Sequence, residues 1–127
     1  MTIVGREDLL KLGVEFLRCL EFLRPAIEIH NTHSVIDIFG LLVNDSAYLV
    51  ALKNSAGILE FVEYPKYKSC RIWLAGGKMD ELINIYPDIQ KWAKSKGCKK
   101  IEIIGRKGWE RVFKDHKKVA VVLLKEL

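Results

Sequence analysis

The chain has 127 residues, half of them apolar, which is enough to bury the core of one domain spanning residues 1–127. The composition argues against disorder, since no low-complexity tract is present. The apolar runs are far shorter than the roughly 20 residues that cross a bilayer. Charged residues 6–8 stand where a signal peptide would need an apolar stretch, so we expect a cytoplasmic protein with no membrane association.

The net charge of +5 comes from the second half of the chain, where lysines cluster. Such a basic face suits solvent or an anionic partner. It carries none of the helix, aromatic or zinc patterns that read nucleic-acid sequence, so we expect no sequence-specific nucleic-acid binding. The lysines concerned are Lys91, Lys94, Lys96, Lys99, Lys100, Lys107, Lys114, Lys117, Lys118 and Lys125.

No metal site is predicted from the cysteines or histidines. The three cysteines are widely spaced in apolar segments, which favours buried thiols over a disulfide or a zinc site. His30 and His33 could share a metal ion with Asp37. A polar loop ahead of the next helix explains this segment better.

Two helices are predicted in the amino-terminal part. Apolar side chains recur at helical spacing in residues 7–23, and Pro25 should stop or kink that helix. Ser34 can cap a second helix over Val35–Val43, and a turn at residues 44–45 follows it.

Three strands come next. Residues 47–53 and 57–64 are strand-like, and the Asn-Ser-Ala segment between them has the length and composition of a hairpin connection. A third strand covers residues 69–74 and leads to the pair Gly76-Gly77.

These two glycines separate a strand from a helical pattern that begins at Met79. Free backbone N–H groups at the positive end of a helix attract a phosphate or another anion, and glycine permits close approach. A chain reversal also needs glycine for conformational reasons alone, so both interpretations stay open. On the first one, a branched side chain at either glycine would block the phosphate and leave the fold largely intact.

The remaining elements complete the order α-α-β-β-β-α-β-α-β. The helix from Met79 should kink or restart at Pro87 and end at Gly97. A strand at 100–104, a short helix at 109–113 and an apolar strand at 118–124 follow. We expect the Trp109 indole to pack on the strand before it. The order predicts an α/β class (α+β mixed), with helices around a mixed sheet.

This order resembles the GNAT acyltransferase superfamily. The residues at 64–65, 71–77, 92–93, 97–98 and 105–109 are similar, more narrowly, to small GNAT-like proteins of tailed bacteriophages. The sequence similarity to these phage proteins covers roughly residues 60–127. The first half of the chain agrees with them only in the order of its elements. The resemblance implies a three-layer fold around a mostly antiparallel sheet, and a place in the host cytoplasm or the virion.

The resemblance also implies acetyl-CoA or another acyl-CoA as cofactor, and an amine on a protein or small molecule as acceptor. GNAT proteins carry Arg/Gln-x-x-Gly-x-Gly/Ala at the turn after the strand. Here only Ala75, Gly76, Gly77 and Lys78 are available. The glycines would let backbone N–H groups reach the pyrophosphate, and Lys78 would add a point charge.

Amine acylation needs a base, and GNAT enzymes often place a carboxylate or water relay on the central strands. Glu60 or Glu63 would fill this role, although their spacing puts them on opposite faces of a strand. The tyrosine that protonates the departing thiolate is replaced by Val112 or Phe113. His116 stands nearby and could substitute for it.

Two classes of function remain open. The first is an N-acyltransferase, which the glycine turn and the resemblance favour. The second is a non-catalytic GNAT-fold phage protein that acts in virion assembly, on the capsid or on a host factor. The incomplete cofactor motif and the missing tyrosine favour the second class. We take the transferase as the leading hypothesis.

Overall fold

A five-stranded sheet of order β1-β2-β3-β4-β5 forms the centre of the computed structural model, which describes residues 3–105 and 108–127. The first four strands pair antiparallel, and β5 joins β4 in parallel. The predicted mixed, mostly antiparallel sheet flanked by helices is therefore confirmed. Arg106 and Lys107, which belong to the phage-type pattern, lie outside the described residues. The strands are β1 (Ile3–Val4), β2 (Tyr48–Ala51), β3 (Ser55–Glu63), β4 (Lys68–Gly77) and β5 (Lys100–Ile103).

The first helix, α1 (Leu9–His30), is longer than predicted because it continues through Pro25. It begins at Asp8, whose side chain accepts a hydrogen bond from the Lys11 N–H at 3.0 Å. Proline costs a helix one hydrogen bond, but apolar side chains are buried on both sides of it at Leu23 and Ile27. Packing against the sheet therefore outweighs the local preference, and the expected stop at Pro25 is wrong.

The second helix, α2 (Val35–Val43), has the predicted bounds and the predicted cap. Ser34 Oγ accepts from the Asp37 N–H at 3.1 Å, and Asp37 accepts in return from the Ser34 N–H at 2.8 Å. This reciprocal capping box satisfies two donors that a helix start otherwise leaves free. Buried side chains of α1 and α2, among them Leu12 and Ile38, pack with Ile58 and Leu74 on one face of the sheet.

The opposite face is covered by α3 (Met79–Ser95), which is continuous through Pro87, so the predicted restart is not present. Tyr86, Ile89 and Ala93 of α3 pack there with Ile72. The chain after the helix turns at Gly97, whose φ of +89° agrees with the predicted left-handed position. The sheet thus lies between α1 and α2 on one side and α3 on the other.

The hairpin between β2 and β3 is displaced from its predicted place. The Leu52 N–H donates to the Ser55 carbonyl at 3.0 Å, so residues 52–54 form the connection. Ser55 and Ala56 belong to β3 and lie opposite Gly77 and Gly76 of β4.

The carboxy-terminal part departs most from prediction. One helical turn, α4 (Trp109–Val112), forms where a short helix was expected. Residues 118–124 form no strand, and their apolar side chains are exposed, so that prediction is wrong. The two-residue strand β1 was missed because so short a segment shows no periodicity. In the described ranges, no helix combines the length and apolarity needed to cross a membrane.

Candidate functional site

β4 has a bulge at the level where it separates from β5. Leu59 of β3 lies opposite Ile72, but Ile58 lies opposite Leu74, which leaves Trp73 as an extra residue. A bulge of this kind bends its strand and often marks a binding site. The parallel pairing of β4 with β5 ends at the same level, at Ile72 and Ile103. Beyond it, β4 continues to Gly77 without β5 beside it, so a gap opens between the two strands.

Trp109 occupies this gap. Its ring stacks on Phe113 with the centroids 5.6 Å apart and the planes at 6°. A Cβ atom added at Gly105 would lie 2.7 Å from Trp109 Cδ1, so the indole lies directly on the chain after β5. Small cavities of about 20 and 30 Å³ adjoin it, and Ala75 and Trp109 line both. Each has room for about one or two water molecules.

The predicted cofactor residues lie at the end of β4 and the start of α3. A Cβ atom at Gly76 would overlap the carbonyl oxygen of Phe22 in α1. Gly77 has a φ of +101°, and a Cβ there would lie 2.5 Å from Ser55 Cα. The chain's own packing therefore requires both glycines, which contradicts the expectation that a branched side chain would leave the fold intact. Lys78 is the residue that precedes the first turn of α3.

That first turn of α3 offers backbone donors in an acidic setting. It carries Asp80 and Glu81, and carboxylates oppose an incoming anion. The Glu81 carboxylate is already engaged, because it accepts from Ser55 Oγ at 2.6 Å and from the Asn54 N–H at 2.9 Å. The hydrogen bond from Ser55 is the main reason why the pKa of Glu81 lies below its usual value. Hydrogen bonds from these neutral donors leave the negative charge of Glu81 in place, so both Asp80 and Glu81 oppose a phosphate at this turn.

A polar cluster lies on the α1 and α2 face of the sheet, beside the bulge. Side chains alternate along β4, so Arg71 points away from the α3 side that Ile72 faces. Its guanidinium contacts two carboxylates, with Glu60 Oε1 at 3.3 Å and Glu102 Oε2 at 3.1 Å. Tyr64 completes the cluster by donating its hydroxyl to Glu102 Oε1 at 2.9 Å. Two carboxylates around one guanidinium leave a net negative charge.

Of the two predicted glutamates, only Glu60 belongs to this cluster. Glu63 lies at the end of β3, where its carboxylate is 3.9 Å from Lys68 Nζ and its side chain is 73% exposed. The sequence reasoning missed Glu102 and Arg71. Glu102 alternates with apolar residues in β5, and a charged residue in such a pattern marks an open sheet face.

Glu102 is held in its ionised form. Burial raises the pKa of this carboxyl, but hydrogen bonds from neighbouring side chains outweigh burial and bring it below the usual value. Tyr64 and Arg71 donate to Glu102 directly, while the nearby Ser69 hydroxyl donates to the Lys100 carbonyl at 3.3 Å. A carboxylate with this environment suits binding a cation better than accepting a proton.

His116, the third predicted catalytic residue, contacts Tyr86 on the α3 side of the gap. Its Nε2 lies 2.5 Å from the Tyr86 hydroxyl oxygen, and its Nδ1 lies 2.7 Å from Asp115 Oδ1. Burial raises the pKa of Tyr86 to about 12, so the phenol is neutral and keeps its proton. Tyr86 and Phe113 line the cavity beside Trp109. The sequence analysis did not identify Tyr86 as a site residue, because its spacing in the helical pattern indicates only a buried core position.

The histidine segment before α2 does not gather ligands. The His33 ring packs edge-on against Trp73 at 4.7 Å, and Asp37 belongs to the capping box. Over residues 3–105 and 108–127, no three side chains of ligand type form a group that could hold a metal ion.

Solved structures share this architecture. A protein described as a probable acetyltransferase matches with a TM-score of 0.61 and 12% identity, over 99% of this chain and 100% of that one. A GNAT family acetyltransferase of Staphylococcus aureus subsp. aureus USA300_TCH1516 matches with a TM-score of 0.59 and 15% identity, over 100% of both chains. A tetramutant of a Bacillus halodurans protein matches with a TM-score of 0.57 and 11% identity, also over 100% of both.

At the level of sequence, no family model and no curated protein matches the chain. The structural likeness shows that the chain has a GNAT fold. A fold does not confer a reaction, so the function has to be argued from the site.

Proposed function

We propose that this protein is an acyl-CoA-dependent N-acyltransferase. The observation that carries the proposal is the gap between β4 and β5, which opens at the Trp73 bulge where the pairing of Ile72 with Ile103 ends. A slot between two strands can hold the extended acyl-bearing arm of a CoA thioester. The backbone N–H and C=O groups that are not paired between the strands can bind this arm. The GNAT fold of the acetyltransferases above supports the same proposal.

The residues at one end of the gap fit the cofactor's pyrophosphate. Backbone N–H groups at the start of α3 would bind the phosphates, and the Lys78 ammonium would add a positive charge. The bound cofactor supplies an activated acyl thioester. The middle of the gap fits less well, since Trp109 fills it and the cavities around the ring have room for no more than one or two water molecules. The indole therefore has to move aside before the acyl arm can enter.

The polar cluster on the α1 and α2 face is the proposed acceptor site. Its net negative charge attracts an ammonium group, and the ionised Glu102 holds that cation. Glu60 is the proposed proton acceptor, directly or through a water, because it lies in the same cluster. Glu63 is too exposed and too distant in the sheet to share this role.

The proposed proton donor for the departing thiolate lies on the α3 side of the gap. The Tyr86 hydroxyl would give its proton to the departing thiolate, and His116, which bonds that hydroxyl, would pass a proton from solvent to the phenolate left behind. Asp115 orients the imidazole through Nδ1. This pair would replace the tyrosine that is missing from α4.

Thermal unfolding with and without acetyl-CoA tests the proposal, because a ligand that binds only the folded state raises its stability. Met79→Pro is the sharpest variant: Met79 is the first residue of α3, and proline is tolerated there while it removes one backbone N–H. We expect wild type to be stabilised by acetyl-CoA and Met79→Pro to be stabilised less, with unchanged stability when no ligand is added. Met79→Ala, which keeps the N–H, is the matched control.

The second candidate is a non-catalytic, phage-encoded component of virion assembly, of the capsid or of a host-factor complex. The Trp109 ring in the gap and Asp80 at the helix start favour it. Trp109→Ala separates the two functions. If the variant gains acetyl-CoA-dependent stabilisation over wild type, the gap is a cofactor site that the indole occupies. If neither protein responds to acetyl-CoA, the transferase proposal fails.

A further inference from the structure

The carboxy-terminal segment exposes an unbroken run of apolar side chains. Val119, Val122 and Leu124 are 82%, 88% and 89% exposed. The segment, residues 119–124, is apolar throughout and rich in β-branched valine, which is a pattern typical of a buried strand. Exposed in this way, it is unstable in water and prone to pair with another strand.

The sheet offers a matching edge. β5 is the last strand in the sheet order, so among the described strands nothing pairs with its outer side. Ile104, which follows β5, is 40% exposed, and Ile101 and Ile103 are half-buried. The backbone groups on this outer side need partners, and a row of apolar side chains flanks them. Six residues in extended form span about 20 Å, more than the four residues of β5 require.

The segment does not reach this edge within its own chain. The His116 ring bonds the Tyr86 hydroxyl, and the backbone N–H of His116 donates to the Phe113 carbonyl at 3.0 Å. Only Lys117 and Lys118 separate this anchor from the apolar run. The apolar run that follows forms no strand and its side chains are exposed, so in this structure it does not pair with its own β5.

We infer that residues 119–124 add as a strand to the outer edge of β5 in a second copy of this chain, and that the second copy returns the same strand. Exchange of an identical element gives a closed, two-fold dimer in which both edges are covered. Two strands then bury their apolar side chains in one interface. This dimer does not depend on acyl transfer.

Light scattering on the full chain after size exclusion, combined with amide hydrogen exchange, tests the inference. We expect a dimer whose amides at residues 119–124 and 100–104 are protected together, with both protections lost together on dilution. A monomer with an unprotected segment overturns the inference. So does a monomer whose segment is protected at every concentration, because the strand would then pair with its own β5. A dimer with an unprotected segment overturns it as well.

Val122→Pro removes an N–H and fixes a backbone angle in the middle of the exchanged strand. We expect this variant to lose the dimer mass and to keep the helical circular dichroism of the wild type. Val122→Thr keeps the N–H and the β-branched shape, so it should remain dimeric. A dimeric Val122→Pro would overturn the strand exchange.

Discussion

Replacing Gly76 by alanine tests the finding that this glycine serves packing. The new Cβ would overlap the Phe22 carbonyl oxygen and lie 3.0 Å from its carbonyl carbon, whereas carbon atoms in contact prefer about 3.5–4.0 Å. Both partners are backbone, so no rotamer change can relieve the clash, and α1 must move away from β4. Overpacking costs about 1–3 kcal/mol, and we expect the upper end here. That is a large part of the roughly 5–15 kcal/mol that stabilises a domain.

Urea unfolding measures this cost. With a denaturant dependence of about 1–3 kcal/mol per molar, a cost of about 3 kcal/mol should lower the midpoint by about 1–3 M. Gly40→Ala is the matched control, because Gly40 lies in α2 and a Cβ there meets nothing within 4 Å. It should stabilise the helix by about 0.5–1 kcal/mol. A Gly76→Ala midpoint equal to that of wild type, with unchanged slope, would refute the packing argument and leave the glycine free to serve a ligand.

Three further predictions concern the cap, the polar cluster and the basic face. Ser34→Ala should lower the free energy of unfolding by about 1 kcal/mol, and Ser34→Thr should restore most of it, as urea unfolding will show. Glu102 has a folded-state pKa below its usual 4.5, so its stabilisation is present above that pH and is lost as the pH falls through the lowered pKa. The stability difference between wild type and Glu102→Gln should therefore narrow from pH 7 to pH 3, and a constant difference would contradict the assignment. Nucleic-acid binding through the basic face should be weak, without sequence preference, and should fall log-linearly with salt; tight, sequence-selective binding at physiological salt would disprove this.

Local patterns in the sequence were sufficient to predict most of the helices and strands. The second helix was predicted with its bounds because Ser34 and Asp37 satisfy the helix start within four residues. The left-handed turn at Gly97 was also predictable, since it depends on one residue and its neighbours. The class of fold follows from element order together with the GNAT resemblance, and the structure confirms it.

The features that the sequence did not predict depend on contacts between residues that are distant in the chain. Pro25 remains inside a helix because side chains on both sides of it are buried against the sheet, and that burial cannot be read from residues near Pro25. The bulge at Trp73 depends on how β3 and β4 align, and the gap depends on where β5 ends beside β4. The contacts of Glu60 with Arg71 and of His116 with Tyr86 join residues 11 and 30 positions apart. Residue types and their spacing along the chain limit which side chains could act. Which of those side chains meet depends on strand register and helix packing, and both are set by contacts over the whole chain.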